Sequence, residues 1–173
     1  MLRGGAADVY ASEQDLIDCI QGQSCAHADW IHFDQLATGI ATETQVPYAP
    51  QPVNRACSNL NTYRALTSAY VSSQNPVPDP SSIKQALCDH GPLATAIFST
   101  VAFQAYNGGV YSDPNPETSV NHAIVIVGWD DTQQAWRVKN SWGTGWGEGG
   151  FGWVRYGSGN IGYGAQWVEA LVP

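Results

Sequence analysis

The chain carries little charge, and little of that charge is positive. Only 13% of its 173 residues are Asp, Glu, Lys or Arg, well below the share of about a quarter in typical globular proteins. Seven basic residues stand against fifteen acidic ones, for a formal net charge of -8 at pH 7. Because nucleic acids and anionic lipid surfaces attract basic proteins, this balance predicts that neither is a partner.

Long apolar runs, internal repeats and low-complexity tracts are also absent from the sequence. Its longest apolar stretches are far shorter than the about 20 residues needed to cross a bilayer, which predicts no membrane span. The first residues, Met1 to Gly5, do not have the pattern of a signal peptide. With 43% hydrophobic and 11% aromatic residues, the chain has instead the composition of a globular protein that can bury a core.

The order of the predicted elements indicates an α+β architecture. Ser12 caps an initial helix with Asp15 three residues on, a variant of the capping box, and Asp29–Leu36 is amphipathic. The turn-rich segment Asn75–Pro80 then leads to a short helix at Ser81–Asp89. The strands predicted after that helix are Leu93–Phe98, Gly109–Tyr111, Val120–Trp129, Ala135–Asn140, Phe151–Tyr156 and Gln166–Leu171.

Two of these strands bring an imidazole and a carboxamide together. His122 lies near the start of one strand, Asn140 ends the next, and the polar residues 130–134 form a predicted hairpin loop. If the loop centres near Asp131, His122 and Asn140 lie directly opposite each other, close enough to interact. A register slip of one residue would put them on opposite faces. An imidazole oriented by a third group is what a thiol nucleophile needs for hydrolysis.

Glycine and tryptophan surround the predicted carboxamide. After Asn140 the sequence reads Ser141-Trp142-Gly143-Thr144-Gly145-Trp146-Gly147, which predicts a loop with unusual backbone angles beneath large aromatic side chains. Each residue alone has an ordinary structural explanation. Several uncommon residues that agree on one mechanism favour a functional site here.

The segments around His122 and Asn140 resemble the histidine and asparagine motifs of the papain-like cysteine peptidases, which include the cathepsins. Three more segments match that family in its order: Ser12–Cys19, with its Ser-Glu-Gln-x-Leu-x-x-Cys pattern, Glu43–Tyr48 and His90–Pro92. The resemblance therefore covers nearly the whole chain.

The resemblance implies a papain-like α+β fold. A partial helical left domain at residues 1–68, lacking the family's central helix, would be followed by an antiparallel, barrel-like right domain at residues 69–173. It also implies a cysteine endopeptidase that hydrolyses peptide bonds through a Cys-His-Asn site. His122 would move the proton, Asn140 would orient the imidazole and Trp142 would shield their hydrogen bond. The residues that the resemblance assigns to substrate binding are Ala96, Val120, Asn121, Ala123 and Trp146.

The nucleophile of that site is not visible in the sequence. In the family it lies in a Cys-Gly-Ser-Cys-Trp segment about 130 to 150 residues before the histidine, and that segment does not occur here. Counting back from His122 places it before Met1. We therefore interpret the chain as the C-terminal portion of a peptidase, inactive alone.

Three other interpretations remain open. The chain is a non-catalytic homologue that binds peptides or inhibitors, or it is one half of a two-chain enzyme, or Cys25 is a displaced nucleophile. Gln21–Cys25 imitates the family's nucleophile segment, and a cysteine at a helix N-terminus can have a lowered pKa. Against Cys25, the Ser12–Cys19 motif precedes it, whereas in the family that motif follows the nucleophile.

The resemblance also implies the cysteine pairing. Cys19 would form a disulfide with Cys57, Cys25 would be left without its family partner, and Cys88 is predicted to be a buried helix residue. Paired cysteines fit an oxidising compartment, so the full-length protein is expected to be secreted or lysosomal. We expect peptide or protein substrates, a propeptide or protein inhibitor as partner, no cofactor or metal, and a monomer when complete.

Overall fold

The computed structural model describes residues 9–19, 36–49, 56–58, 60, 62–113 and 119–172. The chain forms two compact units, one of Met1–Ser68 with Val168–Pro173 and one of Ala69–Trp167. The predicted domain division at residue 69 stays a prediction, and it differs from these units in where residues 168–173 belong. Among the described residues, no helix is long and apolar enough to cross a membrane.

In the first unit, helix α1 (Glu13–Cys19) begins at the predicted cap. The Asp15 backbone N–H donates to Ser12 Oγ over 3.0 Å. The reciprocal half of the predicted capping box does not form, because the Ser12 N–H donates to the Ala41 carbonyl and the Asp15 carboxylate accepts from the Ala41 N–H. Asp15 therefore connects α1 to a distant segment instead of closing its first turn.

A disulfide between Cys19 and Cys57 also anchors α1, as the resemblance implied. Strand β1 (Arg64–Tyr70) was not predicted. Its sequence shows no clear alternation of apolar and polar residues, which is the pattern that predicts a strand. Only Ala65 of its seven residues is buried. The predicted helix Asp29–Leu36 lies outside the described residues except for Leu36.

The second unit begins with helix α2 (Pro80–His90), for which the local sequence is well suited. Asp79 caps it by accepting from the Ser82 N–H, Pro80 occupies its first turn, and Gly91 ends it with a φ of 91°. The helix buries Ile83, Ala86 and Leu87. Cys88 lies outside this apolar stripe and is exposed, so its predicted burial is wrong.

Strands follow in the order that the sequence predicted. They are β2 (Leu93–Ile97), β3 (Val110–Tyr111), β4 (His122–Asp130), β5 (Ala135–Lys139), β6 (Phe151–Arg155) and β7 (Tyr163–Val172), with the short helix α3 (Val101–Gln104) after β2. The sheet order is β1-β7-β2-β4-β5-β6-β3. Strand β2 is antiparallel to β4 and β7, and β5 to β4 and β6, while β3 runs parallel to β6. These few helices and this mixed sheet confirm the predicted α+β class.

The two faces of β2 and β4 differ in character. One face contributes to the hydrophobic core, together with the buried side chains of α2; its members on these strands are Leu93, Ile97, Ile124 and Ile126. The other face carries the small residues Ala94, Ala96 and Ala123 with Val125.

Candidate active site

The β4–β5 hairpin brings His122 and Asn140 together through a register different from the predicted one. The turn centres between Thr132 and Gln133, with Asp130 opposite Ala135, and the register shifts once between Ile126 and Gly128. Continued to Asn140, this register places it level with Ile124, two residues from His122. The prediction of directly opposed residues is therefore wrong. Because side chains alternate with a period of two, both still point to the same face and meet diagonally.

A hydrogen bond joins the two side chains. His122 Nε2 lies 2.8 Å from Asn140 Oδ1, and that oxygen also accepts from the Ser141 N–H at 2.8 Å. The Asn140 N–H donates to the Gly150 carbonyl, and Asn140 is 5% exposed. The carboxamide is thus fixed, and because it engages Nε2, the other imidazole nitrogen, Nδ1, is the one placed to exchange a proton with a thiol.

Aromatic rings cover this pair. Trp142 stacks on the His122 imidazole with ring centroids 4.4 Å apart, and the fully buried Phe103 lies against both rings. Reduced access of water strengthens the histidine–asparagine hydrogen bond relative to one in solvent. The sequence analysis missed Phe103. Thr100, which caps α3 by accepting from the Phe103 N–H, is the only sequence signal near it.

Trp146 lies beneath Trp142 in the core. Its indole N–H donates to the Phe103 carbonyl over 3.0 Å, and it is 5% exposed. The predicted unusual backbone angles occur in this loop: Gly147 has a φ of 54°, and a Cβ there would come within 2.8 Å of Tyr106. Because Trp146 is almost wholly buried, it can offer substrate only a small edge of its ring.

The predicted substrate-binding residues lie at the start of β4. Ala96 pairs with Ala123 across β2 and β4, with Ala96 buried and Ala123 exposed. Asn121 is engaged with the Ser99 backbone, accepting from its N–H at 2.6 Å and donating to its carbonyl at 3.2 Å. Val120 is half-buried beside them. Since His122 and Ala123 are consecutive in a strand, the imidazole and the alanine pair occupy opposite faces of the same strand end.

Gln166 joins the alanine face from the far strand β7. It pairs with Ala94, so its side chain lies on the face of Ala94 and Ala96. Gln166 is 3% exposed, and its Nε2 has no hydrogen-bond partner among the described residues. A buried amide N–H is costly unless it finds an acceptor. The sequence analysis had no signal for it, because the β2–β7 register joins residues 72 apart in sequence.

The described residues contain no group of His, Cys, Asp and Glu side chains that could hold a metal ion. Cys25, the alternative nucleophile, lies outside the described residues. Near the site, burial raises the pKa of the Tyr106 phenol, whose hydroxyl donates to the Gly109 carbonyl at 2.6 Å. This tyrosine therefore acts as a neutral packing and hydrogen-bonding group.

Comparisons with known proteins agree with the geometry. The family model described as papain family cysteine protease matches residues 2–169. Fruit bromelain of Ananas comosus is 36% identical over 152 residues, and cathepsin L of Sarcophaga peregrina is 33% identical over 155 residues. Each alignment covers 83% of this chain but only 41% of the bromelain and 44% of the cathepsin.

Solved structures show the same fold. Digestive procathepsin L 3 from the larval midgut of Tenebrio molitor superposes with a TM-score of 0.79 at 31% identity, over 93% of this chain and 56% of that one. The bromelain protease of Ananas comosus gives a TM-score of 0.77 at 27% identity, over 94% of this chain and 79% of that one. The chain belongs to the papain family of cysteine proteases, and it spans less than half the length of the curated relatives described above.

Proposed function

We propose that this chain is the part of a papain-like cysteine endopeptidase that carries the catalytic histidine and asparagine, and that it is inactive alone. The observation that carries the proposal is the 2.8 Å contact between His122 Nε2 and Asn140 Oδ1 beneath Trp142. Family membership supports cysteine protease chemistry, and this contact supports the assignment of roles to particular residues. The thiol would come from an N-terminal segment, for which the greater length of the relatives leaves room.

His122 serves as the proton carrier in this proposal. Its Nδ1 accepts the proton of the cysteine thiol, and the thiolate attacks the carbonyl carbon of the scissile peptide bond. The imidazolium then returns the proton to the leaving amine as the C–N bond breaks, which leaves a thioester. In the second half, His122 takes a proton from water, hydroxide attacks the thioester carbonyl, and the proton returns to the departing thiolate. Asn140 holds the ring in one orientation throughout, and in the neutral form it fixes the tautomer that is protonated at Nε2.

The substrate in this proposal is a peptide that passes the start of β4. The scissile carbonyl of this peptide lies near His122. The side chain of the residue that precedes the scissile carbonyl's own residue then points towards the face of Ala96 and Ala123, beside Val120. The small walls favour an apolar or aromatic side chain, and Gln166 Nε2 donates only where that side chain also carries an acceptor, such as the hydroxyl of tyrosine. Trp146 lines the leaving-group side through its exposed edge, and Asn121 shapes the strand start through its bonds to Ser99.

The family likeness also supports proposals about partners and location. Because procathepsin structures are among the similar folds, a propeptide or a protein inhibitor is the expected protein partner, and the complete enzyme is expected to be a monomer. The Cys19–Cys57 disulfide supports an oxidising compartment, either secreted or lysosomal.

One test uses the purified chain as it is. NMR of the His122 ring should show a neutral tautomer protonated at Nε2, because Asn140 Oδ1 can only accept. Asn140→Leu, which has a similar volume but no acceptor, should abolish that preference, whereas Ser141→Ala, next in sequence, should leave it intact. A wild-type imidazole protonated at Nδ1 would contradict the proposed roles.

A second test addresses catalysis. With a fluorogenic dipeptidyl substrate, the chain alone should show no turnover, and addition of the N-terminal segment of fruit bromelain, with its nucleophile, should produce turnover. In the combined enzyme His122→Ala should lower kcat/KM by at least about 100-fold. Turnover by the chain alone that Cys25→Ser abolishes would instead establish the displaced nucleophile. Peptide binding without turnover in the combined, folded complex would favour the non-catalytic homologue.

A further inference from the structure

A cavity lies in the unit of Ala69–Trp167, and His122 is not among its lining residues. It has a volume of about 470 Å³ and opens between α2, the end of β1 and β7. The lining residues that matter for its chemistry are Tyr70, Ser82, Gln85, Asp89, His90 and Trp167. None of its lining residues belongs to the site around His122, and nothing in the peptidase chemistry uses them.

Three aromatic rings form the apolar part of this cavity. His90 stacks on Trp167 with centroids 3.9 Å apart and an interplanar angle of 6°, which fixes both rings. Tyr70 is 51% exposed, a large fraction for a tyrosine beside a cavity. The faces of aromatic rings are electron-rich and attract cations within about 6 Å of the ring centre.

The polar part of the cavity is acidic. The Asp89 carboxylate is exposed, and the Gln85 side-chain amide donates to its two oxygens at 3.0 and 2.9 Å, which holds it in one orientation. Ser82 Oγ donates to Asp79 at 2.7 Å, so its remaining capacity is to accept. None of the described residues that line the cavity is Lys or Arg.

We propose that this cavity binds an organic cation, either the guanidinium group of an arginine side chain or a substituted ammonium group. Aromatic rings combined with a carboxylate are the arrangement that recognises such groups, because the rings attract the charge and contact the surrounding carbon atoms. The chain's net charge of -8 further favours the approach of a cation. An arginine side chain of a peptide and a small substituted ammonium compound share this chemistry. The proposal is independent of the peptidase mechanism.

The experiment titrates the whole chain with small probes and follows the indole N–H NMR signal of Trp167, assigned with a Trp167→Phe variant. Choline and acetylarginine amide should each give saturable shifts with dissociation constants on the order of 1 mM. Dimethylbutanol, the neutral isostere of choline, should bind at least about tenfold more weakly. Tighter binding of acetylarginine amide would identify a peptide side chain as the source of the cation, and tighter binding of choline would identify a small substituted ammonium compound.

Variants separate the cavity from general electrostatic attraction. Asp89→Asn should weaken the binding of both cations about fivefold or more without changing the binding of dimethylbutanol. Tyr70→Leu should weaken the binding of the cations in the same way. Glu13→Gln, which makes the same change in net charge at an exposed position of α1, should have no effect. Equal affinity for choline and dimethylbutanol, preferential binding of methyl glucoside, or loss of cation binding in Glu13→Gln as large as in Asp89→Asn would each overturn the proposal.

Discussion

The two compact units are stabilised by different means. The described part of the first unit buries few large apolar side chains and relies on the Cys19–Cys57 disulfide and on the buried carboxylate of Asp15, which accepts from Ala41 and Ser58. The second unit buries a continuous hydrophobic cluster between α2 and the sheet, with Trp136 and Phe103 at its centre. Among the residues that the structure describes, a disulfide and a polar network predominate in the first unit, and apolar burial predominates in the second.

This difference bears on the site. His122 and Asn140 need positions fixed to a fraction of an ångström, and both lie in the unit with the apolar core. Phe103 belongs to that core and also contacts the His122 ring, so core packing and the geometry of the proposed site share a residue. The predictions below test whether the two units depend on their separate sources of stability.

The largest effect is expected from removing the disulfide. Cys57→Ser opens a link between residues 38 apart in sequence, and the loss of that constraint on the unfolded chain should cost the first unit about 4 kcal/mol. Hydrogen exchange should show lost protection in α1 with protection of β4 and β5 retained. Cys88→Ser is the matched control, because Cys88 is a free, exposed thiol. Equal loss of protection in both units would show that the units are not separately stabilised.

A smaller loss of stability, in the second unit instead of the first, is expected from Gly152→Ala. A Cβ at Gly152 would lie 2.8 Å from the Tyr106 ring and 2.9 Å from the Trp146 ring, so overpacking should destabilise the second unit by about 2 kcal/mol. Chemical denaturation followed by tryptophan fluorescence measures the change. Gly128→Ala, whose nearest contact would be an ordinary 3.9 Å from Arg137, should cost less. A fully stable Gly152→Ala protein would contradict the tight packing beneath the site.

The smallest effect is expected at the surface of the second unit. Lys84 on α2 forms an ion pair with Asp131 in the β4–β5 hairpin. The hydrogen bonds that Lys84 and Tyr156 donate to the Asp131 carboxylate lower its pKa. Because the folded pKa is below the unfolded one, this stabilisation is present above about pH 4 and is lost as the pH falls through the folded pKa.

Asp131→Asn should therefore lower the unfolding midpoint slightly at pH 7 and in low salt, and the difference from wild type should vanish in acid. Thermal unfolding at several pH values measures it. The first unit should show no change. A difference that grew as the pH fell would contradict the direction of the Asp131 shift.

Much of the second unit was predictable because its signals are local. The short helix predicted at Ser81–Asp89, which is α2, and the six predicted strands all appear. Strand β1 was missed because it buries only Ala65, and Cys88 was placed on the wrong face. The register of the hairpin was two residues from the prediction, since the turn centre and the irregularity at Gly128 depend on packing that the loop sequence does not specify.

The sequence by itself determined the element order, the family and the residue types of the site, because each rests on local periodicity or on short motifs around His122 and Asn140. Only the tertiary structure decided which distant residues come together. Phe103 lies against the imidazole, Gln166 lies on the alanine face, and Tyr70 lines the same cavity as His90 and Trp167. These contacts join distant parts of the chain, and their register follows from how whole strands and helices pack.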